Sequence, residues 1–266
     1  MKNVLLVVHD DVGQEARLRA ACGIVHALDG HLTCLDVAEI ANLVGADDCG
    51  MSAVLLDEER ARESVNRIEL EARLRVEGLP WDWIDVTGSF TTCIADAAGL
   101  ADLIVVNRRL DSFPIPDMRG IAAETLVKAG KPLLAVPETS RGIKLQGHAM
   151  IAWDGSGQAC AALRGAVPLL ALASKVTIVE VDDGSLLLPG AEAAAYLARY
   201  DIACTVDPRY PALLGAAGEM LRLIELSHPD YLVMGAFGHG RFHEAVFGGV
   251  TRRMLTESPI PLIMAH

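Results

Sequence analysis

The chain has 266 residues, enough for two domains of ordinary size, and 52% of them are hydrophobic, which excludes a disordered polymer. A formal net charge of −12 argues against a nucleic-acid backbone or an anionic membrane surface as the main partner. Six cysteines (Cys22, Cys34, Cys49, Cys93, Cys160, Cys204) stand far apart without a CxxC pair, as reduced thiols of a cytoplasmic protein do.

The opening residues, MKNVLLVVHDD, read as a first strand, because the apolar run is too short for a signal peptide. No stretch approaches the roughly 20 apolar residues of a membrane helix. Short apolar runs then alternate with helical patterns. The first half predicts strand 3–9, helix 13–29, strand 31–37, helix 56–77, strand 82–87, helix 91–100, strand 102–106, helix 119–129 and strand 132–136. A polar segment, 138–147, reads as a linker. The second half predicts strand 148–153, helix 157–172, strand 175–181, helix 188–199, strand 202–206, helix 211–227, strand 230–234, helix 245–257 and strand 261–265. Runs such as LIVV and YLVM lack polar alternation, as strands covered on both faces do. The fold class expected is α/β: two tandem doubly wound domains, 1–137 and 148–266, each a parallel sheet with helices on both faces.

The two halves repeat one unit. Residues 10–37 run without gaps against 154–181, which sets Asp10 on Asp154 and Gln14 on Gln158. ADLIVVNRRL (101–110) matches PDYLVMGAFG (229–238). Between these anchors the first copy carries about sixteen extra residues, expected at the acidic stretch 40–54.

After the strand ending at Met234 the second copy reads GAFGHGRFHEAVFGGVT. Glycines at a strand-to-helix junction let a ligand approach the main chain, and free N–H groups at a helix start suit an anion. From Gly235 to Arg253, Arg241, Arg252 and Arg253 against Glu244 leave a local charge of +2, with His239 and His243 beside them. Neither a lysine-containing phosphate loop nor a GxGxxG pattern is present.

Gly235, Gly238 and Gly248 in the spacing G-x2-G-x9-G, together with the aspartate of AWDGS (Asp154), resemble the universal stress protein family in its tandem form. The resemblance implies five parallel strands per domain and a pseudo-twofold that brings strands 132–136 and 261–265 together. It also implies an adenine nucleotide, ATP with or without magnesium, across the strand ends of the second domain. Asp154, Gly155 and the backbone at Val181 would face the base and ribose. Gly235, Gly238, His239, Gly240, Arg241, Gly248 and Gly249 would lie along the phosphates. Gly249 stands where the family has Ser or Thr, and Thr251 is the hydroxyl nearest to replace it.

In the first copy Asn107, Leu110, Gly120 and Ile121 fall opposite Gly235, Gly238, Gly248 and Gly249, and Pro114 and Pro116 remove two N–H donors. No nucleotide is expected there; Asp10, or His9 if the first strand slips by one, matches Asp154. Trp81 and Trp83 share one face of their strand and read as packing beneath a helix, and Ser156 reads as a helix cap. No paired carboxylates or nucleophile-and-base set is evident, so at most slow ATP hydrolysis is expected. The reading is a cytoplasmic stress-response protein that binds adenine nucleotide and pairs with a second copy or an unknown protein. Its rival is an interaction module, without nucleotide, that works through the 40–54 insertion.

Overall fold

The computed structural model describes residues 1–38, 49–108, 118–182, 184, 186–210, 215–237 and 249–266, with backbone alone at 49–59 and 118–119. The N-terminal half runs β1 (Asn3–Val8), α1 (Gln14–Leu28), β2 (His31–Ala38), α2 (Cys49–Glu77), β3 (Trp81–Thr87), α3 (Phe90–Ala97), β4 (Leu103–Asn107), α4 (Met118–Ala129) and β5 (Leu133–Val136). The C-terminal half repeats the order with β6 (His148–Trp153), α5 (Gly157–Leu170), β7 (Lys175–Val181), α6 (Gly190–Ala198), β8 (Thr205–Arg209), α7 (Gly215–Ser227), β9 (Tyr231–Gly235), α8 (Gly249–Glu257) and β10 (Leu262–Ala265).

Among the described residues ten strands form one sheet in the order β3-β2-β1-β4-β5-β10-β9-β6-β7-β8. Its two halves mirror each other about the centre, where β5 and β10 pair antiparallel through Leu133–Met264, Leu134–Ile263 and Ala135–Leu262. Every other pairing is parallel. The strands expected to meet at the seam do meet there. The central strands β4, β5 and β10 are buried at every residue, which is why their sequences show no polar alternation.

One face of the sheet is covered by α1, α2, α5 and α6 through residues such as Ile24, Leu74, Leu163 and Leu197. The other is covered by α3, α4, α7 and α8 through Ile94, Leu126, Leu223 and Met254. Both apolar layers run across the seam, so the halves share their cores.

Of the boundaries that differ from the sequence reading, two are informative. Helix α2 begins at Cys49 and has 29 residues against 9 in α6, so much of the extra length in the first half is helix rather than a separate insertion. Strand β8 starts at Thr205, three residues late, because Ile202 still donates its N–H to Leu197 at the end of the preceding helix. Trp81 and Trp83 are half-buried against the core under α2, with the Arg67 guanidinium 5.1 Å from the Trp83 ring centre.

Candidate functional site

In the C-terminal half the chain leaves β6 to the right, through α5 to β7, and later returns to β9 on the left of β6. The boundary between β6 and β9 is therefore the switch point of the half-sheet, where doubly wound folds open a crevice at the carboxyl ends of the strands. Helix α5 follows β6 on one face and α8 follows β9 on the other, so both present their N-termini to this crevice.

The β6 side is built from Trp153 to Ser156. The Asp154 carboxylate accepts the Ser156 N–H at 2.9 Å, and Ser156, extended at ψ 162°, caps α5 by accepting the Ala159 N–H at 3.1 Å. Gly155 has φ +72°, and a Cβ there would stand 2.1 Å from the Leu188 nitrogen. That close approach is held by two further bonds, Leu187 N–H to the Asp154 carbonyl at 3.0 Å and the Trp153 indole N–H to the Leu188 carbonyl at 2.7 Å. Segment 186–189 is thus fastened over the end of β6.

Gly235 ends β9. A Cβ on it would meet the Ala159 nitrogen at 2.5 Å and the Gln158 carbonyl carbon at 2.8 Å, so glycine is what lets β9 abut the first turn of α5. Phe237 follows with φ +59°, an uncommon conformation for a bulky residue. Its N–H donates to the Thr251 hydroxyl at 3.2 Å, and Thr251 is buried. This bond ties the start of the glycine segment to the first turn of α8. Gly249 opens α8, exposed, with nothing near the place of a Cβ.

Of the residues singled out from sequence, Asp154, Gly155, Gly235, Gly249 and Thr251 come together around the switch point. Val181 ends β7, and its side chain is buried in the core. Gly238, His239, Gly240, Arg241 and Gly248 lie outside the described residues.

The matching crevice of the N-terminal half is built otherwise. Val8 pairs with Asp36 as Trp153 pairs with Glu180, so His9, not Asp10, takes the place of Asp154. His9 Nδ1 lies 2.9 Å from Glu63 Oε1, both side chains buried, and Glu63 also accepts from the Asn66 amide at 2.9 Å and the Asp10 N–H at 3.2 Å. Arg17 is fully buried against Asp11 at 2.6 Å and donates to the carbonyls of His9 and Val7. Asn107, standing where Gly235 stands, is buried with its amide 3.5 Å from Asp11. Side chains fill here what main chain lines in the other half. Sequence reasoning missed Glu63 and Arg17, since both sit within ordinary-looking charged helices; the half-buried spacing of Glu63, Asn66, Leu70 and Leu74 was the available signal.

Beside this N-terminal crevice, sharing Glu63 with it, a cavity of about 350 Å³ lies under α2 at the ends of β2 and β3, lined also by Asp36, Arg60, Arg67, Asp85 and Thr87. Among the described residues no helix is long and apolar enough to cross a membrane.

This architecture is that of known proteins. It superposes on a universal stress protein from Archaeoglobus fulgidus DSM 4304 with a TM-score of 0.74 at 17% identity, covering 99% of this chain and 95% of that one. A protein from Pseudomonas aeruginosa described as a putative universal stress protein gives 0.62 at 16% identity, over 98% of this chain and 92% of that one. A functionally unknown protein from Pseudomonas aeruginosa PAO1 gives the same score and identity, over 98% and 91%. The chain therefore has the universal stress protein fold, and shares it over its whole length rather than over one half. No protein-family model matches the sequence, and no curated protein matches it.

Proposed function

We propose that the chain is a tandem universal stress protein that binds an adenine nucleotide, ATP first, at the switch point of its C-terminal half, and serves a stress response in the cytoplasm. The observation that carries this is the contrast between the two crevices. In the C-terminal half, two helix N-termini are presented to a switch point bordered by Gly155 and Gly235, each packed on neighbouring main chain, and by the open Gly249. Free amides and positive helix ends favour phosphate there. In the N-terminal half the end of β1 is instead occupied by His9 on Glu63 and by Asp11 on Arg17. In this reading Asp154 and Gly155 would serve the base and ribose, and Gly235, Gly249 and Thr251 the phosphates. The activity expected is nucleotide binding, with at most slow hydrolysis.

Calorimetric titration of ATP with magnesium tests the reading, beside Gly238→Leu, which copies Leu110 of the first half. Micromolar binding at one site per chain, lost in the variant, is expected. No heat with ATP at millimolar concentration refutes it.

One observation favours a second reading. The cavity under α2 is of a size that holds small ligands and belongs to the helix that carries the extra length of the first half. An interaction module working through that surface would keep its partner when the glycine segment is altered. A pull-down unaffected by Gly238→Leu but lost with Arg60→Ala would select it.

A further inference from the structure

Arg108 follows β4 in the N-terminal half, yet its guanidinium ends in the C-terminal half. Nη1 donates to the carbonyl of Met254 at 3.4 Å and to that of Ser258, at the C-terminal end of α8. The last carbonyls of a helix lack partners within it, and a cation is favoured there by the helix dipole. The Met254 carbonyl already accepts the Ser258 N–H at 3.0 Å, so what Arg108 brings from across the seam is a cation at the helix end and a donor to the Ser258 carbonyl.

The contact has no reciprocal. Asn107 matches Gly235 in the register of the two half-sheets, so Arg108 matches Ala236. A methyl group at Ala236 cannot reach the end of α4 as Arg108 reaches the end of α8. The pseudo-twofold is broken in one direction only: the half whose crevice is filled holds a helix of the half whose crevice is lined by main chain.

Helix α8 has nine residues, roughly 13 Å from end to end. At its start Thr251 is bonded to Phe237, and the glycine segment runs between these two residues. At its far end stands Arg108. The buried Met254 and Leu255 seat the middle of the rod on the sheet. A short rigid helix held at its end cannot tilt without moving the amides of its first turn.

We infer that Arg108 is a positioning residue for the nucleotide site: acting through α8, it fixes where the first-turn amides stand relative to the phosphates. The inference rests on the nucleotide reading above and gives the N-terminal half its role in that reading, a clamp in place of a second site.

The test titrates ATP, ADP, AMP and adenosine into the intact protein, R108K and R108Q by calorimetry. Hydrogen exchange at residues 249–254 is followed in the same proteins without nucleotide. For R108Q the affinity for ATP falls about tenfold while that for adenosine changes less than about twofold, because α8 faces only the phosphates. R108K keeps the charge but not the forked donors and falls between; it also serves if R108Q does not fold. Faster exchange in the first turn of α8 accompanies the loss. Equal weakening of ATP and adenosine marks a general structural role and overturns the proposal, as does unchanged ATP affinity. If the unaltered protein binds none of the four compounds, the nucleotide reading itself fails. Exchange then still decides the clamp, which unchanged rates in R108Q would refute.

Discussion

His9 Nδ1 and Glu63 Oε1 stand 2.9 Å apart, almost completely buried, at the place where the other half of the molecule has Asp154 and Gly155. The pair joins the end of β1 to the middle of α2, with the Phe90 ring edge-on to the imidazole at 6.0 Å. A strand end that elsewhere faces a crevice is here closed by a buried histidine–carboxylate contact, and the carboxylate gives that closure a measurable dependence on pH.

Burial alone would raise the Glu63 pKa. The hydrogen bond and charge of His9, the Asn66 amide and the Asp10 N–H outweigh it and hold the carboxyl below its ordinary value of 4.5. A carboxyl depressed in the folded state adds stability that is complete above the unfolded pKa and is lost as pH falls through the folded value. Glu63→Gln is therefore expected to cost about 3 kcal/mol at pH 7, as breaking a buried pair does. The gap to the unaltered protein closes as the pH drops below 4.5. Urea unfolding at neutral pH and at several acidic points checks this; equal stabilities at pH 7 would mean the pair does not hold α2.

Gly235→Ala sets a methyl group against backbone, 2.5 Å from the Ala159 nitrogen, where no side chain can move aside. A loss of about 2 kcal/mol is expected from this overpacking. Gly249→Ala, with open space around it, should stay within about 0.5 kcal/mol. The two unfolding curves taken side by side separate a glycine needed for packing from one that is not.

Gly249→Ser adds a hydroxyl at the start of α8 without steric cost. If phosphates lie at this helix end, one more hydrogen bond of about 1 kcal/mol strengthens ATP binding roughly fivefold. Calorimetry reads the change directly. Unaltered affinity would place the phosphates away from the first turn.

Burial, aided by the Glu77 charge at Cys22, pushes the Cys22 and Cys34 thiols up to about 12. Hardly any thiolate exists on either at pH 8, and both should resist an aromatic disulfide reagent in the folded protein. Half-buried Cys93 and Cys160 should react ahead of these two, and mass spectrometry of digests identifies the labelled positions. Labelling of Cys34 as fast as Cys160 would contradict the packing described.

Much of the fold is legible in the sequence because buried parallel strands leave unbroken apolar runs, and the two copies corroborate each other. The seam pairing follows from β5 and β10 being matching strands in the repeat. The start of α2 was not legible: the segment from Cys49 carries mixed polar and small residues that suit loop and helix alike. Nor was the choice between His9 and Asp10. Five residues separate β1 from α1 but only three separate β6 from α5, and an ungapped alignment hides the difference. At the site, Gly235 was legible as a glycine that matters, but its steric partner, the α5 backbone, is a tertiary neighbour that spacing cannot reveal. Arg108 looked like one of two adjacent loop arginines; its reach into the other half depends on the seam.

That seam also sets a hazard during synthesis. Strand β5 is complete at Val136, but its partner begins at Leu262, 126 residues later. At ordinary ribosomal rates an apolar strand edge waits uncovered for on the order of ten seconds. Such an edge is a template for pairing with another chain. Crowded polysomes, where identical nascent edges emerge together, are where this protein would be lost to aggregation, and where a chaperone holding the first half would matter most.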